Sequence, residues 1–65
     1  MPKRECYELA CSFQGETAKA VKILDYATGE ELWIPISQVE EMHRRPDGTG
    51  VIVMTAWIAK QKGLI

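Results

Sequence analysis

The sequence predicts a mainly β fold: a small five-stranded barrel of the Src-homology-3 type, or a strongly bent antiparallel sheet, with a short C-terminal helix. Three observations predict it. Apolar and polar residues alternate in several short runs, and turn-forming residues separate the runs. Arg45-Pro46-Asp47-Gly48-Thr49-Gly50 is the clearest hairpin signal in the chain, because Pro46 and Asp47 suit the first turn positions and Gly48 and Gly50 tolerate positive φ. Two segments, Leu32-Trp33-Ile34-Pro35 and Thr55-Ala56-Trp57-Ile58-Ala59, hold both tryptophans and most of the patterned apolar surface. Bending or closing such a sheet hides its edges, which a chain this short needs.

The first strand is expected over residues 7–13, where Tyr7, Leu9, Cys11 and Phe13 fall at period two and share a face. Gln14-Gly15-Glu16-Thr17 reads as a turn. The second strand is expected from Ala18 to about Tyr26, with Val21 and Ile23 on one face and Leu24 and Tyr26 on the other. The β-branched pair and the following Ala27-Thr28-Gly29-Glu30 turn favour strand over helix here. The third strand covers residues 31–35, and Pro35, which has no amide proton, ends it or sits on an edge. Ser37-Gln38-Val39-Glu40 has capping-box spacing, but a helix over 38–44 would be short, so a tight turn and a fourth strand over 39–44 are expected. The fifth strand is 51–55. Thr55 then caps a helical turn, Lys60 and Lys62 lie near its negative end, and Gly63 takes the left-handed cap position with Leu64 folding back on Ile58 or Ala59.

Sixty-five residues make one domain, 1–65, with residues 1–5 expected to be a flexible N-terminus. A chain of this size buries only about 60% of its unfolded surface, so its core is thin and a deep cofactor pocket is not expected. With 46% hydrophobic and 26% charged residues it reads as globular. A formal net charge of −1 gives no global field to gather nucleic acid or an anionic membrane. No apolar run follows Met1-Pro2-Lys3-Arg4-Glu5 as in a secretory signal, and no stretch approaches eighteen apolar residues. A cytoplasmic location and no membrane partner are expected.

The residues give little support to catalysis or to a cofactor or metal. Cys6 and Cys11, five apart, point to opposite faces of one strand, which prevents a disulfide between them. With His43 they make three scattered ligands and no Cys-x-x-Cys pair. His43 precedes Arg44 and Arg45, and no carboxylate beside it in sequence orients the ring. Glu30-Glu31 and Glu40-Glu41 are adjacent, so on a strand each pair splits between faces and forms no acid/base pair. The expectation is a protein that is not an enzyme.

Two binding surfaces remain. Leu32 and Ile34 on the core side leave Trp33 facing outward, into a partner or under the C-terminal helical turn against Trp57, Ile58 or Leu64. Structural packing is the weightier expectation for both tryptophans. The partner-binding set is Glu30, Glu31, Trp33, Glu40 and Glu41, an acidic group around an aromatic. The alternative is single-stranded nucleic acid on a basic stripe of Lys19, Lys22, His43, Arg44 and Arg45, though Glu40 and Glu41 flank that stripe. A structural oligomer subunit is a third reading, since a thin core and free strand edges favour self-association.

Trp33-Ile34-Pro35-Ile36-Ser37-Gln38-Val39, a glycine-containing hairpin, and then Trp57-Ile58-Ala59-Lys60-Gln61-Lys62-Gly63-Leu64 resemble small proteins of bacteriophages and other mobile elements. The resemblance covers roughly residues 18–65. Those proteins carry a basic residue between the proline and Ser-Gln, where this chain has Ile36. The resemblance implies a non-catalytic protein-binding module of phage or mobile-element origin. By analogy it extends to a stoichiometric inhibitor of a bacterial defence complex, of the anti-CRISPR kind, whose acidic residues meet a basic, nucleic-acid-binding groove.

Overall fold

The computed structural model describes residues 5–64. In chain order the elements are β1 (Cys6–Glu16), β2 (Ala20–Asp25), β3 (Glu31–Pro35), a 3-10 turn (Ile36–Gln38), β4 (Val39–Arg44), β5 (Thr49–Thr55) and α1 (Ala56–Gln61). The strands form one antiparallel sheet in the order β3-β2-β1-β5-β4. β3 and β4 are its two edges and do not pair with each other. Of the two forms expected, the strongly bent open sheet is the one present.

The connection from β3 to β4 explains the bend. In a flat sheet those edges, four strand spacings apart, would lie about 19 Å from each other. The link from Pro35 to Val39 is three residues long, four Cα-to-Cα steps that reach at most about 14 Å even when fully extended. Part of the link is a 3-10 turn, which is shorter still. The sheet therefore curls its edges toward each other.

The concave side holds the core. Leu9 and Cys11 of β1, Val21 and Ile23 of β2, Ile34 of β3 and Ile52 and Met54 of β5 meet there, and α1 adds Ile58 and Ala59. Tyr7, Phe13, Leu32, Ile36, Val39, Met42 and Leu64 pack around them. The period-two face expected for the first strand is thus the core face.

Several boundaries differ from the sequence expectation. β1 runs on to Glu16, because a bulge between Phe13 and Gly15 absorbs the extra residue and the strand continues. The turn falls at Thr17, whose Oγ1 accepts from the amides of Lys19 (3.3 Å) and Ala20 (3.1 Å). β2 starts later and stops at Asp25 rather than Tyr26. The Asp25 carboxylate accepts from the Ala27 amide (2.9 Å) and the Thr28 hydroxyl (3.1 Å), which turns the chain. Asp25 is 2% exposed, a buried acid that these local donors satisfy.

Between β4 and β5 the expected turn is present with Gly48 at φ 89°, but Gly50 is not at positive φ and lies within β5, which begins two residues early, at Thr49. Asp47 accepts from the Thr49 hydroxyl (2.7 Å) and amide (3.0 Å), which together hold its carboxyl below the usual carboxylate range. Gly50 faces Arg44 across the ladder, and a Cβ there would collide with the His43 carbonyl and press on the Phe13 ring.

The helix signals held. Thr55 Oγ1 accepts from the Ile58 amide at 3.3 Å. At the other end Gly63 has φ 74°, with Gly63 N–H to the Lys60 carbonyl (3.1 Å) and Leu64 N–H to the Ala59 carbonyl (2.8 Å). That pair of bonds is the Schellman arrangement. Among the described residues no helix is long and apolar enough to cross a membrane. The expected flexible N-terminus lies outside the described residues except for Glu5, whose carbonyl accepts from the Ala56 amide at 2.8 Å.

Candidate functional site

The ladder register sets what the convex side of the sheet displays. Core residues alternate with outward ones, so the outer face carries Glu31, Trp33 and Pro35 from β3 and Lys22 and Leu24 from β2. β1 adds Glu8, Ala10 and Ser12, β5 adds Val51 and Val53, and β4 adds Glu41 and His43. Two rows cross the far side: Glu8, Val53 and Glu41, then Ala10, Val51 and His43. On the near side Lys22 faces Trp33 and Leu24 faces Glu31. Val53, although buried, is not part of the concave core cluster.

Trp33 dominates the β3 end of this face. It is 46% exposed, so the expectation that it packs beneath the helix is overturned. Leu32 and Ile34 take the inward positions on either side, and a five-residue edge strand has no second layer above it to cover an outward ring. The Lys22 ammonium lies 5.9 Å from the ring centre and 3.5 Å from Glu31 Oε2. Trp57 is likewise not a core residue. It is 60% exposed, because α1 is one and a half turns long and its core-facing positions belong to Ile58 and Ala59.

Of the expected partner-binding residues, the outer face therefore gathers Glu31, Trp33 and Glu41, on opposite edges of the sheet. Glu30 sits in the turn leading into β3, and Glu40 sits at the irregularity between Val39 and Glu41, where β4 shifts register. Glu8 completes the acidic set. Sequence reasoning passed it over, although its period-two offset from the Leu9 face already put it outward. Tyr26, 54% exposed beside the β2 end, and Trp57 were also missed as surface aromatics.

The basic residues are not brought together. His43 is on the outer face with Nε2 3.1 Å from Glu41 Oε1. Arg44, the next residue, points to the concave side, where it ion-pairs with Glu16 and lies 4.9 Å from the Phe13 ring centre. Arg45 is in the turn, 3.4 Å from the Thr49 hydroxyl. Lys19 is in the β1–β2 turn, and Lys22 is three strands from His43, about 14 Å across a flat sheet. Lys22, His43 and Arg44 each already have a carboxylate partner.

Two open clefts flank the sheet. One, of about 570 Å³, is lined by Ala18, Lys19, Pro35, Ile36 and Ser37 at the end of β3. The other, of about 370 Å³, is lined by Glu5, Thr55, Ala56, Trp57 and Lys60. Cys6 is exposed and Cys11 buried, on opposite faces. Burial pushes the Cys11 thiol above its ordinary pKa and Asp25, opposite it on β2, adds to the shift, so the thiol stays protonated and unreactive. Among the described residues no three His, Cys, Asp or Glu side chains gather as a metal site. Fold and surface together define a small open-sheet domain with an acidic, tryptophan-bearing outer face. Comparison with protein families, with curated proteins and with solved structures finds no match to this chain.

Proposed function

We propose that the protein is a non-catalytic protein-binding module that offers the outer face of its sheet to a partner with a basic surface. The observation that carries the reading is Trp33, a large aromatic left half-exposed on a face whose carboxylates are Glu8, Glu31 and Glu41. An exposed tryptophan supplies contact area of the kind that anchors interfaces. Glu31 beside the ring, Glu8 and Glu41 farther across the same face, and Glu30 and Glu40 at its margins supply complementarity that steers association and fixes register. Lys22 is held by Glu31 and the His43 ring by Glu41, and in the ladder rows of the described residues Glu8 faces neither a lysine nor an arginine.

The narrower form of the proposal follows from the resemblance to phage and mobile-element proteins. The partner is then a bacterial defence complex, the basic surface is its nucleic-acid-binding groove, and the protein acts in the cytoplasm as a stoichiometric inhibitor. That form rests on analogy, and the acidic outer face is what supports it physically.

Charge reversal tests the reading. Glu40→Lys with Glu41→Lys should weaken capture of the partner from bacterial lysate while leaving the thermal melt in place. Unchanged capture overturns the proposal. Loss of capture on Arg44→Ala with Arg45→Ala, together with a steep salt dependence, would assign the protein to nucleic acid instead.

A further inference from the structure

The register of β3 shows where its free edge points. Asp25 N–H donates to the Glu30 carbonyl (2.9 Å) and Ile36 N–H to the Lys19 carbonyl (2.8 Å), which marks both as hydrogen-bonded pairs. Antiparallel pairs alternate, so Ile23 with Leu32 and Val21 with Ile34 are hydrogen-bonded as well. Glu31, Trp33 and Pro35 therefore turn their main-chain groups away from β2, toward the edge. No described strand pairs with that edge. Its donors are the amides of Glu31 and Trp33, and its acceptors are the carbonyls of Glu31, Trp33 and Pro35.

We propose that the protein self-associates as a two-fold dimer in which β3 pairs antiparallel with β3 of a second copy. The sequence of the edge is complementary to itself. Trp33 is the middle residue of the five, so a two-fold axis through it sets Trp33 opposite Trp33 and Glu31 opposite Pro35. The Trp33 amides and carbonyls exchange two hydrogen bonds, and each Glu31 amide donates to the opposite Pro35 carbonyl. Pro35 has no N–H to offer, and this register leaves it as an acceptor alone at the end of the ladder.

The side chains agree with the register. Lys22 occupies the β2 side of the Trp33 ring, and the other side, over the free edge, receives the ring of the second copy. Glu31 of the second copy arrives opposite Pro35 and not opposite its own copy, so the register sets no carboxylate against a carboxylate. The other edge is built differently. β4 carries a register irregularity and the charged run Glu40, Glu41, His43 and Arg44, which are devices that discourage strand addition. Pairing through β3 leaves the outer-face side chains of both copies displayed on one continuous ten-stranded sheet. The dimer goes beyond the partner-binding reading and does not depend on it.

Sedimentation equilibrium of the purified protein, with reductant present to keep Cys6 from cross-linking, tests this directly. The expected result is a monomer–dimer equilibrium. Trp33→Pro removes the two central donors and leaves the β2 ladder untouched, because that amide faces the edge, and should raise the dissociation constant about 100-fold. Glu31→Pro removes the outer donors at the first strand position, where proline is tolerated, and decides the matter if Trp33→Pro does not fold. Glu8→Lys with Glu41→Lys should leave the dimer intact. A monomer at every concentration overturns the proposal and leaves the edge to a strand of another protein. A dimer that persists with a folded Glu31→Pro or Trp33→Pro variant overturns it as well, since its interface then lies elsewhere.

Discussion

The Lys22 ammonium lies 5.9 Å from the centre of the Trp33 ring, and the two residues stand opposite each other on the convex side of the sheet. That pairing holds an aromatic outside the core. A thin 65-residue domain would gain from burying it, and an exposed ring forgoes most of that gain. Trp33→Ala should accordingly cost only about 1 kcal/mol in denaturant unfolding, against about 3–5 kcal/mol for a tryptophan removed from a core. The same holds for Trp57→Ala. A loss in the upper range for either would mean that the ring is buried in solution.

Gly50 is fixed by space. A side chain there meets the His43 backbone and the Phe13 ring, and the His43 backbone cannot withdraw without opening the β4–β5 ladder. Gly50→Ala should destabilise by about 2–3 kcal/mol, a large share of what a domain of this size has. Gly15→Ala is the matched control, since nothing lies within 4 Å of its Cβ position, and its urea midpoint should stay near that of the parent.

Thr55 joins three elements. Its hydroxyl donates to Gln38 Oε1 (2.7 Å) beside the 3-10 turn and accepts from the Ile58 amide that starts α1. Thr55→Ala removes the cap and orphans the Gln38 carbonyl, for an expected loss of about 1–2 kcal/mol. Gln38→Ala should recover none of it if the cap is the larger part, which a double-mutant cycle measures.

The cysteines should separate cleanly in reactivity. A maleimide at neutral pH should label Cys6 quickly and Cys11 only on unfolding. The raised Cys11 pKa also sets a sign for stability. The folded thiol holds its proton more tightly than the unfolded one, so this contribution is complete below the ordinary value of 9.0 and is lost as pH rises above it. Unfolding midpoints that fall above that pH, and fall less in Cys11→Val, are the expected outcome. Equal labelling of both thiols in the native state would contradict the buried position of Cys11.

The strands were legible because their signals are local. Tyr7, Leu9, Cys11 and Phe13 fall at period two, and the Pro46-Asp47-Gly48 turn and the Thr55 and Gly63 caps are each readable within six residues. The end of β1 was not, since the bulge between Phe13 and Gly15 depends on which neighbour a strand finds, and the end of β2 was missed although the Asp25 side-chain turn with Ala27 and Thr28 is local. The outer face was half legible. Alternation put Trp33 outward, but the preference for burying large aromatics outweighed it, and nothing in the sequence showed that β3 would be an edge with no layer above it. The basic stripe failed for the same kind of reason: His43 and Arg44 are neighbours in sequence and point to opposite faces.

The most direct test of the account is capture of a partner from nuclease-treated bacterial lysate by the parent protein and by the Glu8→Lys, Glu41→Lys double variant. The account predicts a protein recovered stoichiometrically by the parent and lost by the variant, with both equally folded. Equal recovery by the two, or a partner that disappears with nuclease, would contradict it.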